Sequence, residues 1–230
     1  MTDVKRSSQS QARQLRLDLS RRPSHAREDF VVAESNAAAV DALDAWPQWP
    51  GGRLALVGPP GSGKTHLARA WAARTGAVVV DATAGFAPPA GGPILFDDAD
   101  RRTSDDLLFH LINRADSGAS LLIAGRTAPA GWPTRLPDLA SRLRAITVAH
   151  IELPDDAVLT GMMMKLLSER NIKPSAGVPT YLVQRIERSA TTLQRIVDRI
   201  DERAGGDNRE VTLALVREVL QTEDTPPLDP

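Results

Sequence analysis

The sequence predicts an α/β fold: a parallel sheet of five strands covered by helices, then a small all-helical unit, with an unstructured tail in front. Three observations predict it. Compact apolar runs of strand length alternate with helical patterns between positions 53 and 153, the arrangement that yields parallel strands joined by crossover helices. The first of those strands runs straight into a glycine-rich turn and a helix. After Pro154 the strand-like runs stop, and only amphipathic helical patterns follow.

Residues 1–27 are mostly Ser, Gln, Arg and Ala without periodicity and read as a disordered tail, too poor in apolar groups to offset the entropy of ordering. Seven Lys and Arg stand there against Asp3 and Asp18, so the tail is basic and the remainder acidic. The exception is "RQLRLDL", where Leu15, Leu17 and Leu19 alternate with charged residues after Gln14 and have no core to join. From 28 to 153 the pattern is that of an α/β domain. "FVVAESNAAAVDALDAW" is a short apolar stretch and then a helix, with Ser35 or Asn36 as its cap. "PQWPGG" breaks the chain. "RLALVG", "AVVVDA", "GPILFDDAD", "ASLLIAG" and "ITVAHIEL" are the five strands. A helix is predicted over 103–116, where Thr103 and Asp106 have capping-box spacing with Asp in place of Glu. From 154 to 221 four amphipathic helices follow one another, the methionine run 162–164 reading as core filler. Residues 222–230 read as a frayed end.

Composition narrows the function classes. The 230 residues exceed the roughly 150 of a typical single domain, which fits one α/β domain with an appendage. A 42% hydrophobic content with only 4% aromatics requires an aliphatic core. The net charge of −1 gives no global attraction to nucleic acid or to an anionic membrane. With no cysteine, disulfides and thiolate metal sites are excluded. His25, His66, His110 and His150 are scattered without metal-ligand spacing. No apolar run approaches the ~18 residues of a membrane span, and the N-terminus lacks the apolar segment of a secretory signal. The sequence therefore reads as cytoplasmic, with no membrane partner.

The segment G-P-P-G-S-G-K-T (58–65) lies between a strand and a helix. Gly58, Gly61, Ser62 and Gly63 form a turn whose backbone N–H groups can point inward around phosphates, and the helix N-terminus adds partial positive charge. Lys64 is placed to reach the β- and γ-phosphates, the Thr65 hydroxyl to ligate Mg²⁺, and His66 to line the same site. "ILFDDAD" supplies the complement: an apolar strand ending in Asp97, positioned for the Mg²⁺ shell, with Asp98 positioned to orient an attacking water. The cofactors expected are ATP or ADP with Mg²⁺.

These motifs, together with "DFVVAESN", "GKTHLA", "LPDLASRLR" and "TLALVREVL", resemble the DnaA/Hda family of AAA+ ATPases over roughly residues 28–221. The resemblance implies a P-loop domain with a helical lid. It places Arg142, in "DLASRL", at the arginine-finger position that enters a neighbour's ATP site. No helix-turn-helix follows the lid, and the span between Lys64 and Asp97 is short for the DNA-gripping insertion of initiators, so a stand-alone regulatory module is expected. Such modules carry an N-terminal "QLxLxL" peptide that docks on the β sliding clamp of DNA polymerase III. Gln14, Leu15, Leu17 and Leu19 match it, with Asp18 where proline is common. The implied partners are the clamp, DnaA, and DNA indirectly through the loaded clamp, with a homodimer open. The implied function is negative regulation of replication initiation, Arg142 acting in trans on DnaA-bound ATP.

The pattern breaks at two places. Ala124 and Arg126 occupy the sensor 1 segment, where hydroxyl and acidic residues are usual. Thr191 aligns with the sensor 2 arginine, for which Arg188 or Arg195 stands open as a substitute. Nucleotide binding with weak hydrolysis of its own is the resulting expectation. Two other readings remain: a self-sufficient AAA+ ATPase of helicase-loader type, and a DNA-binding ATPase using the basic tail.

Overall fold

The computed structural model describes residues 30–81, 91–102, 104–204 and 210–221. The tail with Gln14, Leu15, Leu17 and Leu19, the candidate cap Thr103 and the C-terminal stretch 222–230 lie outside the described residues. The elements are α1 (Glu34–Asp44), β1 (Arg53–Val57), α2 (Lys64–Thr75), β2 (Val78–Asp81), β3 (Ile94–Asp97), α3 (Asp105–Asp116), β4 (Leu121–Gly125), α4 (Pro137–Arg144) and β5 (Thr147–His150). They continue with α5 (Asp156–Glu169), β6 (Lys173–Pro174), α6 (Val178–Val183), α7 (Ala190–Ala204), β7 (Glu210–Val211) and α8 (Leu213–Gln221).

The five predicted strands form one parallel sheet in the order β2-β3-β4-β1-β5. The central strands β1, β3 and β4 are buried on both faces, which is why they are continuous apolar runs without alternation. Ala55, Val57, Phe96 and Ile123 pack on one face with Leu108, Leu111 and Ile112 of α3 and Leu139 of α4. Leu54, Leu56, Leu95 and Leu122 pack on the other with Val40 and Leu43 of α1 and Leu67 and Trp71 of α2. The C-terminal helices close over a third cluster of their own, around Leu159, Met163, Leu193, Ile196 and Val216.

Three local expectations are corrected. Helix α1 begins at Glu34, so neither Ser35 nor Asn36 is its cap. Asn36 instead reaches back: its Oδ1 accepts the Ala33 N–H at 3.0 Å and its Nδ2 donates to the Val31 carbonyl at 2.8 Å. Helix α3 is capped by Ser104, whose Oγ accepts the Asp106 N–H at 3.2 Å. The C-terminal unit is not wholly helical, because β6 and β7 pair in parallel. Two residues per strand leave no periodicity to read. The methionine run is split: Met163 is fully buried, whereas Met164 is 44% exposed.

Candidate functional site

The phosphate loop lies where β1 gives way to α2, at the carboxyl edge of the sheet where ligands of open α/β folds bind. Close packing dictates Gly58: a Cβ there would stand 2.1 Å from the Ile151 carbonyl oxygen. Gly61 and Gly63 have φ of +77° and +93°, left-handed values that glycine adopts without strain. Gly63 caps α2, so the first turn of that helix opens toward the loop. Lys64 is buried and its Nζ donates to the Pro59 carbonyl at 2.8 Å. Burial lowers its pKa, partly offset by the charges of Asp100, Asp98 and Asp97.

Thr65 and Asp97, 32 positions apart, are brought together: the Thr65 hydroxyl donates to Asp97 Oδ1 at 3.4 Å. Burial raises the Asp97 pKa, against the hydrogen bond it accepts from the Asp98 N–H at 3.1 Å. Asp98 is exposed with φ +48°, turning the chain out of β3. A hydroxyl and a half-buried carboxylate side by side are hard oxygen donors of the type Mg²⁺ prefers.

A cavity of about 640 Å³ opens between this loop and the helical unit. Gly61, Ser62, Gly63, Lys64, Thr65 and His66 line its floor. Gly58, Asp97 and Asp98 do not line it; they stand behind or beside the loop. Phe30, Val31, Val158 and Met162 form an apolar wall, and the Phe30 and His66 rings lie 5.8 Å apart, tilted by 42°. Thr191 and Arg195 line the opposite side from α7. Arg188 does not; it pairs with Asp156 at 2.7 Å. The helical unit touches the loop directly, as the Ala190 N–H donates to the Gly61 carbonyl at 3.1 Å.

Arg142 stands apart from this cavity, on α4. Its guanidinium donates to Asp116 at 2.5 Å, Asn113 at 3.0 Å and Asp138 at 2.9 Å, and lies over the Phe109 ring at 5.4 Å. Sequence reasoning missed the apolar wall, since residues 30, 31, 158 and 162 carry no shared motif. It could have noticed Asp100, whose carboxylate accepts the Arg126 N–H at 3.1 Å, from the third acid of "DDAD".

Fold and site together define a P-loop α/β module with the fold of AAA+ domains. The particular likeness is to DnaA domain III: the Thermotoga maritima domain superposes with a TM-score of 0.71 at 19% identity, covering 89% of this chain and 99% of that one. Aquifex aeolicus DnaA bound to AMPPCP gives 0.64 at 18%, over 88% and 70% of the two chains. The Thermotoga maritima RuvB Holliday junction branch migration motor gives 0.65 at 16%, over 86% and 72%. At these identities the likeness is one of fold. No protein-family model matches the chain. No helix among the described residues is long and apolar enough to cross a membrane.

Proposed function

We propose that this chain is an Hda-like regulator of replication initiation, one that binds ATP or ADP with Mg²⁺ and completes the ATPase site of a neighbouring DnaA. Residues 28–153 would form the nucleotide-binding domain, 154–221 its lid, and 1–27 a flexible arm. Lys64, Thr65 and the glycine loop would hold the phosphates, with Asp97 at the metal and Asp98 beside the attacking water. The observation that carries the reading is the separation of Arg142 from the chain's own cavity. An arginine placed there would serve a site in another subunit once it leaves Asp116 and Asp138. A guanidinium on the γ-phosphate accelerates hydrolysis by ~10³–10⁵-fold, about 4–7 kcal/mol of barrier. The tail would place Gln14, Leu15, Leu17 and Leu19 on the β sliding clamp as an extended peptide whose leucines fill an apolar groove. Burying each leucine contributes ~1.5–3 kcal/mol.

The test measures turnover of labelled ATP preloaded on DnaA, with DNA-loaded clamp and the full chain. Wild type is expected to stimulate it, whereas Arg142→Ala and the double variant Leu17→Ala, Leu19→Ala return it to the intrinsic rate. Arg142→Ala stays folded, because exposed ion pairs contribute only about 0–1 kcal/mol each and Asp116 keeps its contact with Arg53 at 3.0 Å. Full stimulation by the alanine protein refutes the finger. The assembled Thr65–Asp97 pair is also what a self-sufficient ATPase needs; turnover independent of DnaA and clamp would establish that reading instead.

A further inference from the structure

The pair formed by Thr65 and Asp97 has a third member. Arg69 follows Thr65 by one turn of α2, and residues four apart share a helix face. Both are exposed, whereas Leu67 and Ala68 between them are buried in the core. From that face Arg69 Nε comes within 3.9 Å of Asp97 Oδ2. Asp97 Oδ1 accepts the Thr65 hydroxyl and the Asp98 N–H. One oxygen of the carboxylate is thus held by hydrogen bonds, and the other faces a guanidinium.

The guanidinium contact is the looser of the two. A separation of 3.9 Å is an ion pair but too long for a hydrogen bond. The Arg69 side chain is 48% exposed, against 14% for Asp97. Arg69 is therefore a tethered cation that offsets the charge of Asp97 without being locked to it, and its charge works against the burial that raises the Asp97 pKa. Like Asp97, it does not line the cavity, so its influence on a bound nucleotide passes through the carboxylate. Phosphates on the loop would meet the field of Asp97, Asp98 and Asp100, the same carboxylates that bear on Lys64. A cation on Asp97 reduces that repulsion. A divalent ion does the same at the same oxygens, but it must first repel or displace the guanidinium.

We propose that Arg69 stands in for the metal at Asp97, lowering this chain's dependence on Mg²⁺ for holding a nucleotide and weakening Mg²⁺ at that carboxylate. The proposal rests on the reading of the cavity as a nucleotide site with Asp97 at its metal. Titrate the full chain with ADP in chelator, then with Mg²⁺ at fixed ADP, for wild type, Arg69→Ala and Arg69→Lys. Arg69→Ala is expected to weaken metal-free ADP by about two- to fivefold, the size of a half-exposed ion pair, and to lower the half-saturating Mg²⁺ concentration by a similar factor. Arg69→Lys should stay near wild type, since it keeps the charge. In an Asp97→Asn background Arg69→Ala should change nothing further, because the coupling runs through the carboxylate. A merely structural role would weaken ADP alike with and without Mg²⁺, and that result overturns the proposal. So does an Arg69→Ala protein with unchanged Mg²⁺ dependence, or one whose effect persists beside Asp97→Asn. Wild type binding ADP in neither condition overturns the nucleotide reading as well.

Discussion

At the scale of single residues, the carboxyl of Asp97 carries a tension between fold and site. Burial disfavours its charge and raises its pKa. A carboxyl of that kind holds its proton more tightly folded than unfolded. Its contribution therefore favours the folded state at acid pH and is lost as pH rises from the ordinary aspartate value through the raised one. Asp97→Asn should accordingly raise the melting temperature of the ligand-free protein at neutral pH, and the gain should vanish below the ordinary aspartate pKa. A differential scan at several pH values checks this; equal melting temperatures at neutral pH would mean that desolvation at Asp97 is of no consequence. The same variant should lose Mg²⁺-dependent stabilisation by nucleotide, since a ligand bound only to the folded state stabilises by RT ln(1 + [L]/Kd). The charge is disfavoured by the fold and needed by the metal.

At the scale of elements, helix ends join the helical unit to the α/β domain. Asp155 caps α5 by accepting the Val158 N–H at 2.8 Å, and its other oxygen accepts the Ser35 N–H from α1 at 3.4 Å. The Val158 bond, more than any other contact, holds its pKa below the usual range. Here the sign is the reverse of that at Asp97: the stability it supplies is present above the ordinary aspartate pKa and lost as pH falls through the depressed one. Asp155→Ala should cost about 1–2 kcal/mol, the range of a lost N-cap, and Asp155→Asn less, because its amide oxygen still caps. Urea midpoints of the two variants would rank them. A similar junction at Asp105 holds the segment before α4: its carboxylate accepts from Thr134 at 2.8 Å, Arg135 N–H at 3.2 Å and Arg102 at 2.9 Å. Through this junction Arg142 sits on a helix whose start is fixed.

At the scale of the whole molecule, the cavity exists because the C-terminal helices rest on the phosphate loop. Gly61 is the point of contact: a Cβ there would stand 2.4 Å from Ser189 Oγ. The position also has φ +77°. Gly61→Ala should thus do two things, straining the loop by about 1–2 kcal/mol and pushing α7 away from it. Nucleotide affinity should fall although Lys64 and Thr65 are untouched. Limited proteolysis should then cut the turn before α7 faster than in wild type. Unchanged affinity would mean that the helical unit plays no part in closing the site.

The sequence by itself determined the fold class, the five strands and the phosphate loop. Each is written in contiguous residues: buried parallel strands are unbroken apolar runs, and "GPPGSGKT" can bend as it does because its glycines tolerate the left-handed backbone the loop requires. Asp97 was legible for the same reason, as an acid ending an apolar strand. The strand order, the pairing of Thr65 with Asp97, the apolar wall of the cavity and the places of Arg126 and Arg142 were decided only by tertiary structure. They depend on which strand lies beside which, and period-2 or period-3.6 patterns carry no such information. Arg126 and Arg142 look alike as letters. One follows β4 where that strand ends beside the phosphate loop, and the other is held by Asp116 and Asp138 away from it, because β4 ends next to β1 and α4 packs on α3.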